Sequence, residues 1–415
     1  MNEMMRKALL KNSEFKSYIP ARFLMLFALY AQHTVISYYL YELTGNPFSL
    51  GLLGLFEVIP AVGFAFVAGY VADLKEKRNM FLTCLSGYAF IALYFLWICS
   101  DYSAEKFSIS SIEWLIYGGM FLNGTLRAFI SPTAFSILSL LVKRDNLPLA
   151  VTWSSSAWIA GMVTGPIVGG LLLAYFNSTI AFSLILACFV VAFLFITTIK
   201  QKPIEFKSEG NMLESIKAGF RFIFKTEVIL AVLALDLFAV LFAGAEALLP
   251  IYAKDILGGG EVVYGWLRSA HGIGSMLMLF ILAYLPLKKN VGNKMLLAVF
   301  FFGLAIIVFG ISKNVYLSFG VLFLAGVFDA ISVVIRQSIL QLKTPEEMKG
   351  RVSSINMMFV SSSNELGAFE SGLAARLVGT VPAVVFGGCM TAVVVLAVRK
   401  LAPSLRNLDL GEIEN

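Results

Sequence analysis

The sequence predicts an all-α membrane protein of about twelve transmembrane helices. Three observations carry this. Of its 415 residues, 59% are hydrophobic and only 14% are charged, whereas a soluble chain carries roughly a quarter charged residues. The apolar residues gather in runs long enough to cross lipid. The Lys and Arg residues between those runs fall almost entirely on one side.

A span needs ~20 mostly apolar residues. Such runs lie near 18–41, 48–72, 79–99, 112–142, 148–175, 178–199, 228–253, 262–287, 292–312, 315–342, 350–378 and 381–401. Orientation follows from the Lys/Arg bias. The N-terminal tail carries Arg6, Lys7, Lys11 and Lys16, and the loop after the second run carries Lys75, Lys77 and Arg78. With the later even-to-odd loops, the central segment and the C-terminal end, one side holds twenty-four cations and the other only Lys106, Lys254 and Lys313. Both termini are therefore expected in the cytoplasm of a multi-pass (inner) membrane protein.

The expected organisation is a six-helix half over 1–199, a cytoplasmic linker over 200–227, a second six-helix half over 228–401 and a cytoplasmic tail over 402–415. Within the linker, Met212, Ile216, Phe220 and Ile223 share one helical face. That stretch reads either as an amphipathic helix on the cytoplasmic surface or as a plain linker.

The net charge of +6 does not indicate nucleic acid, because the cations sit in short loops between apolar runs. Cys84, Cys99, Cys188 and Cys389 all lie within apolar segments without ligand spacing and read as small apolar residues. With two His and no Cys/His cluster, neither a metal site nor a cofactor is expected. The first apolar run follows a polar, basic stretch and is long enough to span and stay, so no cleaved signal is expected.

Two motifs sharpen the picture. The loop after the second run reads Gly69-Tyr-Val-Ala-Asp73-Leu-Lys-Glu-Lys77-Arg78, and the fifth run reads Gly161-Met-Val-Thr-Gly165-Pro166-Ile-Val-Gly169-Gly170. With six plus six spans around a basic central segment, the chain resembles the major facilitator superfamily. The first motif resembles that family's loop 2–3 signature. The second resembles the motif of its proton-coupled exporters, departing at Thr152, where a Gly is the pattern. Tyr41-Glu-Leu-Thr-Gly-Asn-Pro47, Leu249-Pro250-Ile-Tyr-Ala-Lys-Asp255, Thr344-Pro345 with Gly350-Arg351-Val352, and Ser363-Asn364-Glu365-Leu366-Gly367 look like its drug and siderophore exporter branch. The resemblance implies the major facilitator fold and a conformational gate at Gly69, Asp73, Lys77, Arg78, Gly161, Gly165, Pro166, Gly169 and Gly170. Physically, glycines at four-residue spacing let helix backbones approach closely in lipid, and Pro166 removes a backbone donor. Asp73 would face the start of the eleventh span, where a helix dipole favours a carboxylate. The basic residues beside it also serve as topology determinants.

The remaining signal is where charge enters the membrane. Spans 3, 6, 9 and 12 have interiors free of charge, while spans 1, 2, 4, 7, 8, 10 and 11 carry Gln32 and His33, Glu57, Arg127, Asp236 and Glu246, Arg268 and His271, Asp329 and Arg336, and Glu365, Glu370 and Arg376. In the resembled fold, spans 1, 4, 7 and 10 line a central cavity and 2, 5, 8 and 11 form its walls. A charge at the bilayer centre costs at least ~2.5–3.5 kcal/mol on insertion scales, so these groups face a wet cavity or pair with one another. Gln32, His33, Arg127, Glu246, Asp329 and Arg336 are the substrate-cavity candidates. Asp329 and Arg336, seven residues apart, share a helix face.

Asp236 is the first proton-coupling candidate, followed by Glu57 and Glu365. Nothing at i±3 or i±4 offers Asp236 a cation, so its partner must come from another span, and Arg127 and Arg336 lie at suitable depth. The expected function is secondary active transport, as proton-coupled export of a small amphiphilic organic molecule such as a drug or siderophore. An importer or symporter of a siderophore or metabolite is the alternative, disfavoured only by the fifth-span motif. With 36 Phe and 15 Tyr, an aromatic-lined pocket is affordable. An enzyme is not expected, for the sequence holds no metal motif, nucleophile elbow or phosphate loop. The expected partners are a small-molecule substrate, protons and the lipid bilayer, and the expected working form is a monomer.

Overall fold

A computed structural model describes residues 12–143, 146–201, 212–285, 287, 289–345, 348–406 and 408–409. Among the described residues every regular element is helical and none is a strand. Nine helices are long and apolar enough to cross a membrane by length and composition: Ser13–Thr44, Lys77–Ile98, Ile109–Leu141, Leu149–Tyr175, Ser178–Thr197, Glu227–Ile256, Val291–Ile311, Val315–Lys343 and Thr380–Leu401. They occupy the positions expected for spans 1, 3–7, 9, 10 and 12. The positions of spans 2, 8 and 11 hold Pro47–Gly63 followed by Ala65–Leu74, then Gly260–Tyr284 and Lys349–Val378. These carry Glu57, Arg268 with His271, and Glu365 with Glu370.

Polar residues at the loops fix where helices start and stop. Asn12 accepts hydrogen bonds from the amides of Glu14 and Phe15, at 3.0 and 3.2 Å, satisfying donors that the first turn leaves open. Span 1 ends at Gly45, whose φ of 58° suits glycine, and span 2 restarts at Pro47, where a missing N–H costs nothing. Asn177 and Asn314 cap spans 6 and 10 in the same way as Asn12.

Two spans expected to be continuous are broken. Span 2 is interrupted at Phe64, one turn after Pro60, which cannot donate a helical hydrogen bond. Span 7 is regular only over Glu227–Phe242, then passes through a 3₁₀ turn (Ala245–Leu248), a single α turn (Leu249–Ile251) and a π turn (Tyr252–Ile256). The cause is tertiary. A Cβ on Gly244 would overlap the Gly367 carbonyl of span 11, and one on Gly387 of span 12 would overlap the Phe242 carbonyl. Pro250 also lacks the N–H that would close a helical bond to Glu246.

The described residues fall into two compact units. The first comprises the chain up to Gly45, Phe56 to the end of span 6, and Gly260–Ser269. Its tightest packing is span 5 on span 1. The second comprises Asn46–Leu55, the chain from Met212 to Gly259, and everything from Ala270 onward. Its core joins Val232, Leu235 and Ala239 of span 7 to Met295 and Val299 of span 9, Ile335 and Ile339 of span 10 and Val395 of span 12. The amphipathic stretch of the central segment forms a helix, Met212–Lys225. Ile223 packs with Leu340, Val352 and Ile355, and Phe220 lies 6.2 Å from Phe359. Phe220 and Ile223 of this face are thus packed within the second unit. The side chains of Met212 and Ile216 lie outside the described residues.

Candidate functional site: paired charges within the spans

In the first unit a polar cluster is assembled from four spans. Glu57, on span 2, is 3% exposed. From span 4, Arg127 Nη1 donates to Glu57 Oε1 at 2.9 Å, and Asn123 Nδ2 donates to the same oxygen at 3.3 Å. Gln32 of span 1 donates to Asn123 Oδ1 at 3.3 Å. The neighbouring His33 places Nε2 3.8 Å from Glu57 Oε2. Its Nδ1 is 2.9 Å from the Arg268 guanidinium. A guanidinium only donates, so Nδ1 accepts and the proton of the neutral ring sits on Nε2, toward Glu57. Arg268 also donates to the Tyr264 hydroxyl at 3.1 Å, and Tyr264 stacks on Tyr38 with centroids 5.6 Å apart. What lets span 4 reach Glu57 is Gly124. A Cβ there would overlap the Glu57 carbonyl, and it would sit 3.0 Å from Pro60 Cγ.

The second unit holds a second cluster. Asp236 of span 7 and Arg336 of span 10 form an ion pair, with side chains only 7% and 4% exposed. Two turns away on span 10, Asp329 Oδ2 lies 3.7 Å from His271 Nε2 of span 8. The other ring nitrogen, Nδ1, lies 3.5 Å from Glu246 Oε1. Glu246 was expected within a regular span; it stands on the 3₁₀ turn that interrupts span 7, more than half exposed. Asp236 and Asp329 line one small cavity with Val240, Phe302, Phe328 and Ser332. Asp329 and Arg336 share a helix face but turn to different partners. Glu365, on span 11, is half-buried beside Gly54, whose Cβ position is 3.4 Å from Glu365 Oε2.

The fifth-span glycines abut span 1. A Cβ on Gly161 would lie 2.8 Å from the Phe27 nitrogen, and one on Gly165 2.8 Å from the Phe27 oxygen; for Gly169 the nearest atom is the Ala31 oxygen at 3.3 Å. Gly170 meets Gly265 of span 8, with its Cβ position 3.0 Å from Gly265 Cα, and a Cβ added to Gly265 would lie 2.6 Å from the Pro166 carbonyl oxygen. Gly69 and the side chain of Asp73 lie outside the described residues. Lys77 opens span 3. Arg78 reaches across to the end of span 6, donating to the carbonyls of Thr197 at 2.9 Å and Ile196 at 3.4 Å. A cation there meets the negative end of a helix dipole.

Asn123 escaped the sequence reading because a neutral amide adds no charge to an apolar helix. The usable signal was its position four residues before Arg127, on the same face. Arg268 and His271 stood out as charges; Tyr264, four residues before Arg268, lies on their own helix, but His33, Glu246 and Asp329 come from other elements.

This geometry can bind polar or charged groups and exchange protons inside a membrane. Comparison with known proteins places the chain among membrane transporters. The chain is 27% identical over 352 residues to the enterobactin exporter EntS of Shigella flexneri, covering 82% of this chain and 80% of that protein. It is 26% identical over 351 residues to EntS of Shigella boydii serotype 18, with the same coverage. Among solved structures, a POT family transporter in complex with 5-aminolevulinic acid superposes with a TM-score of 0.73 at 12% identity, over 94% of this chain and 96% of that one. The nucleoside transporter NupG superposes at 0.71 and 14% identity, over 94% and 99%. The sequence pattern of the Major Facilitator Superfamily matches residues 19–368, so this chain is a multi-pass membrane transporter, not an enzyme, and belongs to that superfamily.

Proposed function

We propose that the protein is a proton-driven exporter of a small amphiphilic organic molecule of the siderophore or drug type, set in an inner membrane with both termini in the cytoplasm. The observation that carries this reading is the likeness to enterobactin exporters over 82% of the chain. The paired charges within the spans support it, because a transporter of apolar cargo alone has no use for groups this costly to bury. Gln32, His33 and Arg127 in one unit and Asp329, Arg336 and Glu246 in the other supply polar contacts for substrate. Asp236, Glu57 and Glu365 are acids able to exchange a proton as access alternates. Substrate and proton then compete for the same charged state, and that competition makes the exchange antiport. The glycine run of span 5 acts as the close-packed element against which span 1 moves.

The test is transport by purified protein in proteoliposomes carrying an imposed pH gradient. In inverted orientation, labelled enterobactin should accumulate in vesicles with an acidic interior, and nigericin should abolish the accumulation. Accumulation indifferent to nigericin removes proton coupling. Accumulation driven by an acidic exterior in the opposite orientation establishes import. Failure to move enterobactin or any of a panel of macrolides removes the substrate class.

A further inference from the structure

The chain has two histidines, each in one of the polar clusters, and they meet opposite partners. His33 receives a hydrogen bond at Nδ1 from Arg268, so a second proton on that nitrogen would confront a guanidinium. His271 has an acid at both nitrogens, Glu246 at 3.5 Å and Asp329 at 3.7 Å. A neutral imidazole offers an N–H to only one of them and turns a lone pair toward the other. The doubly protonated ring offers an N–H to both.

Among the described residues, the charged partners of His271 are both acids. Span 10 presents Asp329 and, where Gly326 crosses, bare backbone. The 3₁₀ turn presents Glu246, and span 9 presents the Phe302 ring at 6.5 Å. Across the small cavity Asp329 shares walls with Ser332 and with Asp236, whose own partner is Arg336. Two other acids within the spans, Glu57 and Asp236, each face an arginine, and Glu57 also lies 3.8 Å from Nε2 of His33, whose other nitrogen is already held by Arg268. An arginine keeps its proton at any physiological pH, so neither of those cations can take up or release charge. Of these clusters, that of His271 sets an imidazole between two acids.

We infer that His271, held between Glu246 and Asp329, carries the exchanged proton in place of Asp236, Glu57 or Glu365; this rests on the proton-driven reading above and reassigns its coupling group. A proton arriving from outside adds to the neutral ring, and the imidazolium joins span 8 to span 10 and to the interrupted part of span 7. Release of that proton to the cytoplasm returns the ring to neutral and loosens one of the two contacts. One proton enters, one leaves, and no other bond is made or broken.

Because there are only two histidines, the ring can be watched directly. Protein labelled with ¹⁵N-histidine in a His33→Gln background, in lipid nanodiscs, gives the nitrogen signals of His271 alone. Scanned over about pH 5–8, the signals should report a passage between one and two ring protons that is displaced when Asp329 becomes Asn or Glu246 becomes Gln. A ring fixed in one state across that range, or a transition that neither substitution moves, overturns the inference. Glu246 is more than half exposed, so Glu246→Gln keeps the test decisive if Asp329→Asn fails to fold. In proteoliposomes, His271→Gln should lower gradient-driven enterobactin accumulation at least about tenfold, with gradient-free exchange of labelled for unlabelled enterobactin within about twofold of normal. Equal loss of both fluxes makes His271 a structural or binding residue and overturns the coupling role. If the unsubstituted protein moves no enterobactin, the exporter reading fails, and the ring titration still decides whether His271 is a proton switch.

Discussion

In the first unit the acid of the inter-span pair stands on span 2 and the cation on span 4, Glu57 with Arg127; in the second the acid stands on span 10 and the cation on span 8, Asp329 with His271. The backbone beneath the two pairs is the same. Gly124 crosses at the Glu57 carbonyl and Arg127 follows three residues later; Gly326 crosses at the His271 carbonyl and Asp329 follows three residues later. Three residues beyond Glu57 is Pro60, at the Gly124 crossing, and three beyond His271 is Gly274, which meets Phe323 of span 10. Two helix crossings of one register therefore carry pairs of opposite polarity. The crossing is the repeated structural element, and the charges placed on it are free to serve function. One crossing carries an arginine, the other an imidazole.

The second difference is dryness. Arg336 and Asp236 have side chains 4% and 7% exposed, whereas Arg127 is 36% exposed over a Glu57 that is 4% exposed. Removing one partner of a buried pair costs about 3–5 kcal/mol, because a charge is left stranded. Arg336→Met should therefore give the largest loss of thermal stability of any single change discussed, read by fluorescence-detected size exclusion in detergent. Arg127→Met should lose clearly less, because Asn123 still donates to Glu57. Pairing Arg336→Met with Asp236→Leu should recover most of the loss. Equal losses for the two arginine variants would mean that the clusters are equally wet and the contrast between the units is false.

A smaller effect is expected where backbones touch. Gly165→Leu places a branched side chain where even a Cβ lies 2.8 Å from the Phe27 oxygen. Overpacking of this kind costs about 1–3 kcal/mol, and here it separates span 5 from span 1, so transport should fall while membrane insertion persists. Gly320, on span 10 of the other unit, has open space around its Cβ position, and Gly320→Leu should leave both stability and flux nearly unchanged. Normal transport by Gly165→Leu at normal abundance would strip the span 5 motif of mechanistic content.

These contrasts divide along what a linear sequence can express. Span positions were legible because a 20-residue apolar run has few alternatives in lipid; most observed ends lie within a few residues of those expected. The breaks in spans 2 and 7 were not. Pro60 and Pro250 are visible in the sequence, but the break at Gly244 depends on Gly367, more than a hundred residues away. For the site, the sequence supplied which side chains enter the membrane and excluded a partner for Asp236 on its own helix. Arg336 was one of the two cations that depth allowed. It could not supply the crossing that brings His271 between two acids, since each contact joins a different helix.

The smallest expected effect concerns Arg78, which the sequence offers in two roles. As one of three cations in the loop after span 2 it contributes to topology. In the fold it also donates to the carbonyls of Thr197 and Ile196 at the end of span 6. The two roles separate experimentally, because Lys75 and Lys77 remain to hold the loop on the side proposed to be cytoplasmic when Arg78 becomes Gln. Topology, read by accessibility of introduced cysteines, should not change. What is lost is the cation at a helix C-terminus, about 0.3–1 kcal/mol, and the tie between the start of span 3 and the end of span 6. The loss should appear as faster amide exchange over the last turn of span 6, with little change in global stability. Arg78→Lys should recover part of the protection, because an ammonium keeps the charge but cannot reach two carbonyls with one planar fork. Protection unchanged in Arg78→Gln would leave topology as the whole role of that residue.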